Sequence, residues 1–345
     1  MNSTGKDKSS VNRVGSIGYS SGANADLLIQ NTDSAQYQVG LSNQQPAKCF
    51  YIPSHRPIFR YQAVQNIPTA KKTKQSAFDE VSNVNRNRVL HNHSHEPASF
   101  IMKNTLIGWA INGYGVTSGT KTIMAQDRDQ IQYFEGFQET LRKILPKSLG
   151  FKEFEIRNME IVFVCNDGAD EFLLETASGG VSALIDIAWQ IYMFSSKDNP
   201  DFTVIIDEIE NHLHPTMQRR ILPDLLRAFP VARFVVSTHS PLIVGSVKDS
   251  SIYALAYNSD NKIQSRYLDF MHEAKTASEV LDEVLGVSFT MPVWVEEELE
   301  RIIAKYSRTD LTKEDFISLR KELSEFGLEK MVPFAIQGLV EGNSD

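Results

Sequence analysis

The 345-residue sequence predicts an α/β fold built on a mostly parallel sheet, and three observations carry that prediction. The segments "FTVIIDE" (202–208) and "ARFVVSTHSP" (232–241) are uninterrupted apolar runs of strand length that end in polar residues. Between them, "HPTMQRRILPDLLRAF" (214–229) has helical spacing, with Pro215 near its start, where the missing N–H costs nothing. Ahead of them, "VSALIDIAWQIYMFSS" (181–196) is a largely apolar helix. Strands buried on both faces carry such apolar runs, and crossover helices are what cover those faces.

The remaining elements follow in chain order. Residues 1–64 form an N-terminal antiparallel β region. Its strands are expected in "ADLLIQN" (25–31), "AQYQVGL" (35–41) and "KCFYIP" (48–53), the last stopped by Pro53. Residues 65–150 form a second region, a polar insertion followed by a helical lobe. The polar stretch 65–98 has weak periodicity and reads as an exposed insertion, whereas Ile131, Phe134, Phe137, Leu141 and Leu145 mark a helix over 127–145. Residues 151–269 hold the core, entered through the strand "MEIVFVCN" (159–166). Residues 270–345 are a small helical region. There "TKEDFISLRKELSEFG" pairs Thr312 with Asp315 as an acidic capping box and places Gly327 at the stop.

Composition narrows the function classes. A 41% hydrophobic fraction can fill a core, and no apolar run is long enough to span a membrane. The polar start "MNSTGKDKSS" lacks the apolar centre of a secretion signal, and the two cysteines, Cys49 and Cys165, have no metal-ligand spacing, so a cytoplasmic protein is expected. The net charge of −8 excludes a globally basic nucleic-acid binder but not a local patch. Between Asp33 and Asp79 there is no acid, and Arg56 and Arg60 sit beside Phe59 and Tyr61 in "YIPSHRPIFRY". Such a surface can grip a nucleic-acid backbone or stacked bases, but the arginines more readily help build a nucleotide-binding lobe or a protein contact. His91, His93 and His95 alternate in "HNHSHEP", but no fourth zinc ligand accompanies them.

Three segments carry chemistry. Asp207 and Glu208 end a buried strand, where side chains reach the crevice in which α/β folds bind ligands. An acid there can hold Mg²⁺ and a second can polarise water, although "IIDE" alone also fits a strand running out into solvent. Thr238, His239 and Ser240 end the next strand. Ser178, Gly179 and Gly180 open a helix whose bare N–H groups suit a phosphate, or form an ordinary turn and cap.

In this order and spacing the segments resemble the ABC-type ATPase heads of the RecF, SMC and OLD-like group. "ASGGVSAL" looks like the signature motif, "VIIDEIENHLHP" like Walker B with its D-loop, and "FVVSTHSP" like the switch-histidine strand. The resemblance implies a P-loop NTPase head that uses ATP and Mg²⁺ and dimerises with nucleotide sandwiched between heads. It implies that Asp207 holds Mg²⁺, Glu208 orients water and His239 contacts the γ-phosphate. Ser178, Gly179 and Gly180 would touch nucleotide on the partner head, and Glu210 and Asn211 would lie in the D-loop. The implied partners are a second head or a higher oligomer and an effector such as a nuclease, in DNA repair or anti-phage defence, with nucleic acid as a further candidate and no membrane.

The sequence departs from that pattern in two places. Val181 stands where many members carry Gln or Glu. The only candidate for G-x-x-x-x-G-K-[ST] is "MNSTGKDKSS", in which Gly5 and Lys6 match the second half and Asp7 stands in the Ser/Thr place. Two readings are open: a shortened product, or a degenerate head acting as a non-hydrolysing scaffold or sensor.

Overall fold

The computed structural model describes residues 11–30, 39–91, 96–196, 200–268, 293–306, 312–328 and 332. It divides into two compact units, Met1–His212 with Asp224–Ser237, and Leu213–Pro223 with Thr238–Asp345.

The first unit opens with an antiparallel meander of β1 (Val11–Gly18), β2 (Asn24–Gln30) and β3 (Val39–Ser42), of which β2 and β3 answer to expected strands and β1 does not. β4 (Cys49–Ile52) then leaves the meander and pairs in parallel with β10 (Phe202–Ile206), which pairs in parallel with β11 (Ala232–Val236). Ile206 lies between Ile52 and Val236 in register, so the three strand ends finish level. On one face Ile52, Val204 and Ile206 are fully buried. Phe50, Phe78, Phe194 and Phe202 stack there, with Phe50 and Phe194 4.7 Å apart.

The stretch expected as an exposed insertion instead contains helix α1 (Lys74–His91), whose Ala77, Phe78, Val81 and Asn85 are buried. That narrow stripe is enough to seat it. Asn85 donates its amide to Gln190 at 2.9 Å, so the donor of its polar member is paired inside, while its Oδ1 is buried without a hydrogen-bond partner. The histidines 93 and 95 lie outside the described residues. Helix α2 (Ala98–Tyr114) has no marked apolar stripe because it is buried nearly all round. Gly115 ends it at φ +69°, where a Cβ would stand 2.4 Å from the Met124 carbonyl oxygen, so only glycine fits. A hairpin of β5 (Val116–Ser118) and β6 (Lys121–Met124) leads to α3 (Arg128–Ile144), capped by the Asp127 side chain. The antiparallel β7 (Phe151–Arg157), β8 (Glu160–Cys165) and β9 (Asp170–Leu173) follow. Cys165 on β8 is fully buried, whereas Cys49 on β4 is exposed. Helix α4 (Gly179–Phe194) is buried from Val181 to Met193, with Trp189 against Trp109 and Phe137.

Helix α5 (Pro215–Ala228) contributes residues to both units. The second unit further contains α6 (Pro241–Val244), a hairpin of β12 (Ile252–Tyr257) and β13 (Ile263–Leu268), and helices α7 (Val293–Tyr306) and α8 (Lys313–Glu325). Leu299 and Ile302 of α7 close on Leu319 and Leu323 of α8. The capping box at Thr312 and Asp315 forms with both of its hydrogen bonds. At the other end of α8, Gly327 adopts φ +70° while the Leu328 N–H returns to the Leu323 carbonyl. Among the described residues no helix is long and apolar enough to cross a membrane.

Candidate functional site

The level ends of β4, β10 and β11 build the site. The ladder runs one residue past the strands: the Asp207 N–H donates to the Ile52 carbonyl and the Ser237 N–H to the Ile206 carbonyl, both at 3.0 Å. Asp207 and Ser237 therefore face each other. The Ser237 hydroxyl donates to Asp207 Oδ1 at 2.5 Å and accepts the Glu208 N–H at 2.8 Å. The Tyr51 hydroxyl donates to the other Asp207 oxygen at 3.3 Å. Burial and the Asp207 charge hold the Tyr51 phenol above its ordinary pKa, which keeps that donor protonated.

Glu208 then turns the chain at φ +42°, a left-handed conformation that a non-glycine residue keeps only when its surroundings impose it. Asn211 holds it twice, with its amide Nδ2 2.7 Å from Glu208 Oε2 and its N–H 3.0 Å from the Glu208 carbonyl. The same Nδ2 reaches the Ser54 carbonyl at 3.1 Å. The paired acids are thus separately fastened, Asp207 by two hydroxyls and Glu208 by an amide.

Arg56 does not face a nucleic acid, as the basic interval suggests it could; it is 6% exposed and points into the unit. Its guanidinium donates to the Pro53 carbonyl, and its Nη2 to the carbonyls of Asp207 and Glu208 at 3.3 and 3.4 Å. Arg56 and Arg88 favour the ionised form of Asp186, yet complete burial dominates and pushes that carboxyl up to about 6. Asp186 belongs to α4, the helix opened by Ser178, Gly179 and Gly180. No side-chain bond caps that helix and no acid lies in its first turn, and a Cβ at Gly179 would meet nothing within 4 Å. A cavity of about 160 Å³ lies between this helix start and the loop of Arg56 to Phe59, with His212 on its wall.

The helix start is held from behind. Glu175, three residues before Ser178, meets the Lys103 ammonium at 2.6 Å, and Glu160 meets it at 2.8 Å. Lys103 is fully buried, and the two carboxylates raise its pKa against the pull of burial.

Asp207, Glu208 and Asn211 thus come together in the first unit, which also contains Ser178, Gly179 and Gly180. His239 is exposed and belongs to the second unit. Gly5 and Lys6 lie outside the described residues. Tyr51, Arg56 as a clamp, and Ser237 escape sequence reading. Only Ser237 leaves a signal there, since the residue after β11 must face the residue after β10. The donor set fits Mg²⁺, which takes hard oxygens and needs only one or two carboxylates beside phosphate and water. Among the described residues no cluster of three His, Cys, Asp or Glu side chains could hold a metal ion alone.

A family model described as "AAA domain, putative AbiEii toxin, Type IV TA system" matches residues 20–245. The Septu protein PtuA of Bacillus thuringiensis is 25% identical over 213 residues, which cover 53% of this chain and 53% of that protein. The retron Ec83 probable ATPase of Escherichia coli is 42% identical over 126 residues, covering 34% of this chain and 23% of that protein. The chain therefore spans about half the length of the first relative and about a quarter of the second. Among solved structures, the SMC head domain from Thermotoga maritima is 12% identical, covers 74% of this chain and 72% of that one, and superposes with a TM-score of 0.33.

Proposed function

The chain belongs to this AAA-domain family, and from that premise we propose that it hydrolyses ATP at the level strand ends, in a defence system of the kind its Septu and retron relatives name. The single observation that carries the reading is the differential fastening of the two acids. Asp207, tied to Ser237 and Tyr51, is held as a fixed cation ligand. Glu208 keeps one carboxylate oxygen on Asn211 and offers the group to a water as base. Mg²⁺ bound at Asp207 would neutralise charge on the phosphate oxygens. Ser178, Gly179 and Gly180 present N–H groups for a phosphate bound to a second copy of the chain, so the working form is a dimer or larger. His239 would approach the same phosphate, and Gly5 and Lys6 would supply the cradle on this copy. Hydrolysis would then gate an effector protein such as a nuclease, with the exposed Arg60 as a remaining candidate of the acid-free interval for a nucleic-acid contact, since Lys71 and Lys72 are paired with Asp127 and Glu80 and Lys74 donates to the Ser195 carbonyl.

A second reading, a head that binds without turnover and serves as scaffold or sensor, is favoured by Asp7 in the hydroxyl place of the phosphate loop, where its charge would oppose a phosphate.

Turnover and binding of Mg-ATP by the full chain test the proposal. Glu208→Gln should lower turnover by about 100-fold or more while binding persists, and the ATP-bound variant should elute as a larger species. Lys6→Ala should abolish binding. Turnover that Glu208→Gln leaves intact sinks the role of Glu208. Binding without turnover by the parent chain selects the scaffold reading.

A further inference from the structure

We infer that Arg56 is a positioning residue, a buried clamp that sets the backbone of the Asp207–Glu208 turn and ties it to the start of α4. Its effect on turnover rests on the ATPase reading; its effect on the turn does not.

The geometry behind this is local. A guanidinium stays charged at any working pH, so burying one to 6% exposure is unfavourable unless carbonyls or carboxylates surround it. Arg56 meets three carbonyls, and two of them belong to the acid-bearing turn. That turn contains the left-handed Glu208, and His212 beyond it is also left-handed at φ +67°. Two such residues within five positions need external restraint, because each would otherwise relax towards ordinary backbone angles. Asn211 restrains the turn from within. Ser237 restrains it from the next strand, and Arg56 from below, across 151 residues of chain.

Arg56 also lines the cavity against Gly179, Ser182 and Ala183, so the residue that fixes the acids borders the helix start. Its Nε is buried without a hydrogen-bond partner, and Asp186 of α4 is the carboxylate whose charge most favours its ionised form. Asp186 has one oxygen on Gln190 and its other oxygen without a hydrogen bond. The guanidinium therefore serves two elements at once, by direct bonds to the turn and by charge to the helix. Lysine cannot substitute fully, since a point charge on a flexible stem does not span carbonyls in a fixed fork.

Hydrogen exchange of the full chain tests the clamp. In Arg56→Gln, amides of 207–212 should exchange at least about 10-fold faster, while 202–206 and 232–236 keep their protection. Arg56→Lys should fall between the two. Turnover of Mg-ATP should drop by about 10- to 100-fold with KM within about two-fold. In a Glu208→Gln background Arg56→Gln should add no further loss. Unchanged exchange at 207–212 overturns the proposal. So does equal acceleration in all three segments of Arg56→Lys, the variant that decides if Arg56→Gln does not fold. If Arg56 only balances the Asp186 charge, adding Asp186→Asn to Arg56→Gln restores protection and turnover, which also overturns it. A parent chain without turnover defeats the ATPase reading instead, and exchange alone then decides the clamp.

Discussion

Asp207 and Glu208 are covalent neighbours, but each carboxylate has its own set of partners, and this separation assigns them different chemistry. The same residue-scale logic gives Asp186 a measurable pH signature. Burial raises its carboxyl to about 6, so the folded chain binds that proton more tightly than the unfolded chain does. Its contribution to stability is full below about pH 4 and is lost as pH rises through about 6. Denaturant titrations of Asp186→Asn and the parent should therefore diverge between pH 4 and 7, the variant gaining on the order of 2–3 kcal/mol relative to the parent. A constant difference across that range would show that Asp186 does not titrate there. At this scale the site was half legible. Asp207, Glu208 and Asn211 fall within five positions and announce themselves. Tyr51 on β4, Arg56 in the loop after it and Ser237 beyond β11 arrive from distant parts of the chain, and of the three only Ser237 follows from aligning the ends of β10 and β11.

Among the elements, helices with a clean stripe or a capping box could be read from sequence, as α3 and α8 were. α1 was hidden because four buried side chains seat it, and α2 because burial on every side erases periodicity. What α2 contributes is Lys103, on which the turn before α4 closes. Lys103→Met should destabilise the chain by about 3–5 kcal/mol, since it leaves Glu160 and Glu175 facing each other without a cation. Replacing all three charges together, with both glutamates changed to glutamine, should cost less than the single change. Chemical denaturation measures both, and a triple variant less stable than Lys103→Met would contradict the pairing.

On the scale of the whole molecule, the parallel pairing of β10 with β11 was readable from two apolar runs joined by a helix, whereas β4, expected in the antiparallel N-terminal region, joins that parallel sheet instead. The division into two compact units was not readable, since its limits fall at residues 212 and 237, inside the quoted motifs. The two cysteines give this architecture a built-in clock. Cys49 is exposed at the start of β4, opposite Thr203 and two positions before Tyr51, whereas Cys165 is sealed on β8 with its thiol pKa raised by burial. A thiol reagent should therefore consume one equivalent at once and the second only as fast as the first unit opens. The fast phase becomes an optical reporter on β4, the strand that carries Tyr51, and the slow phase counts opening events without any engineered label.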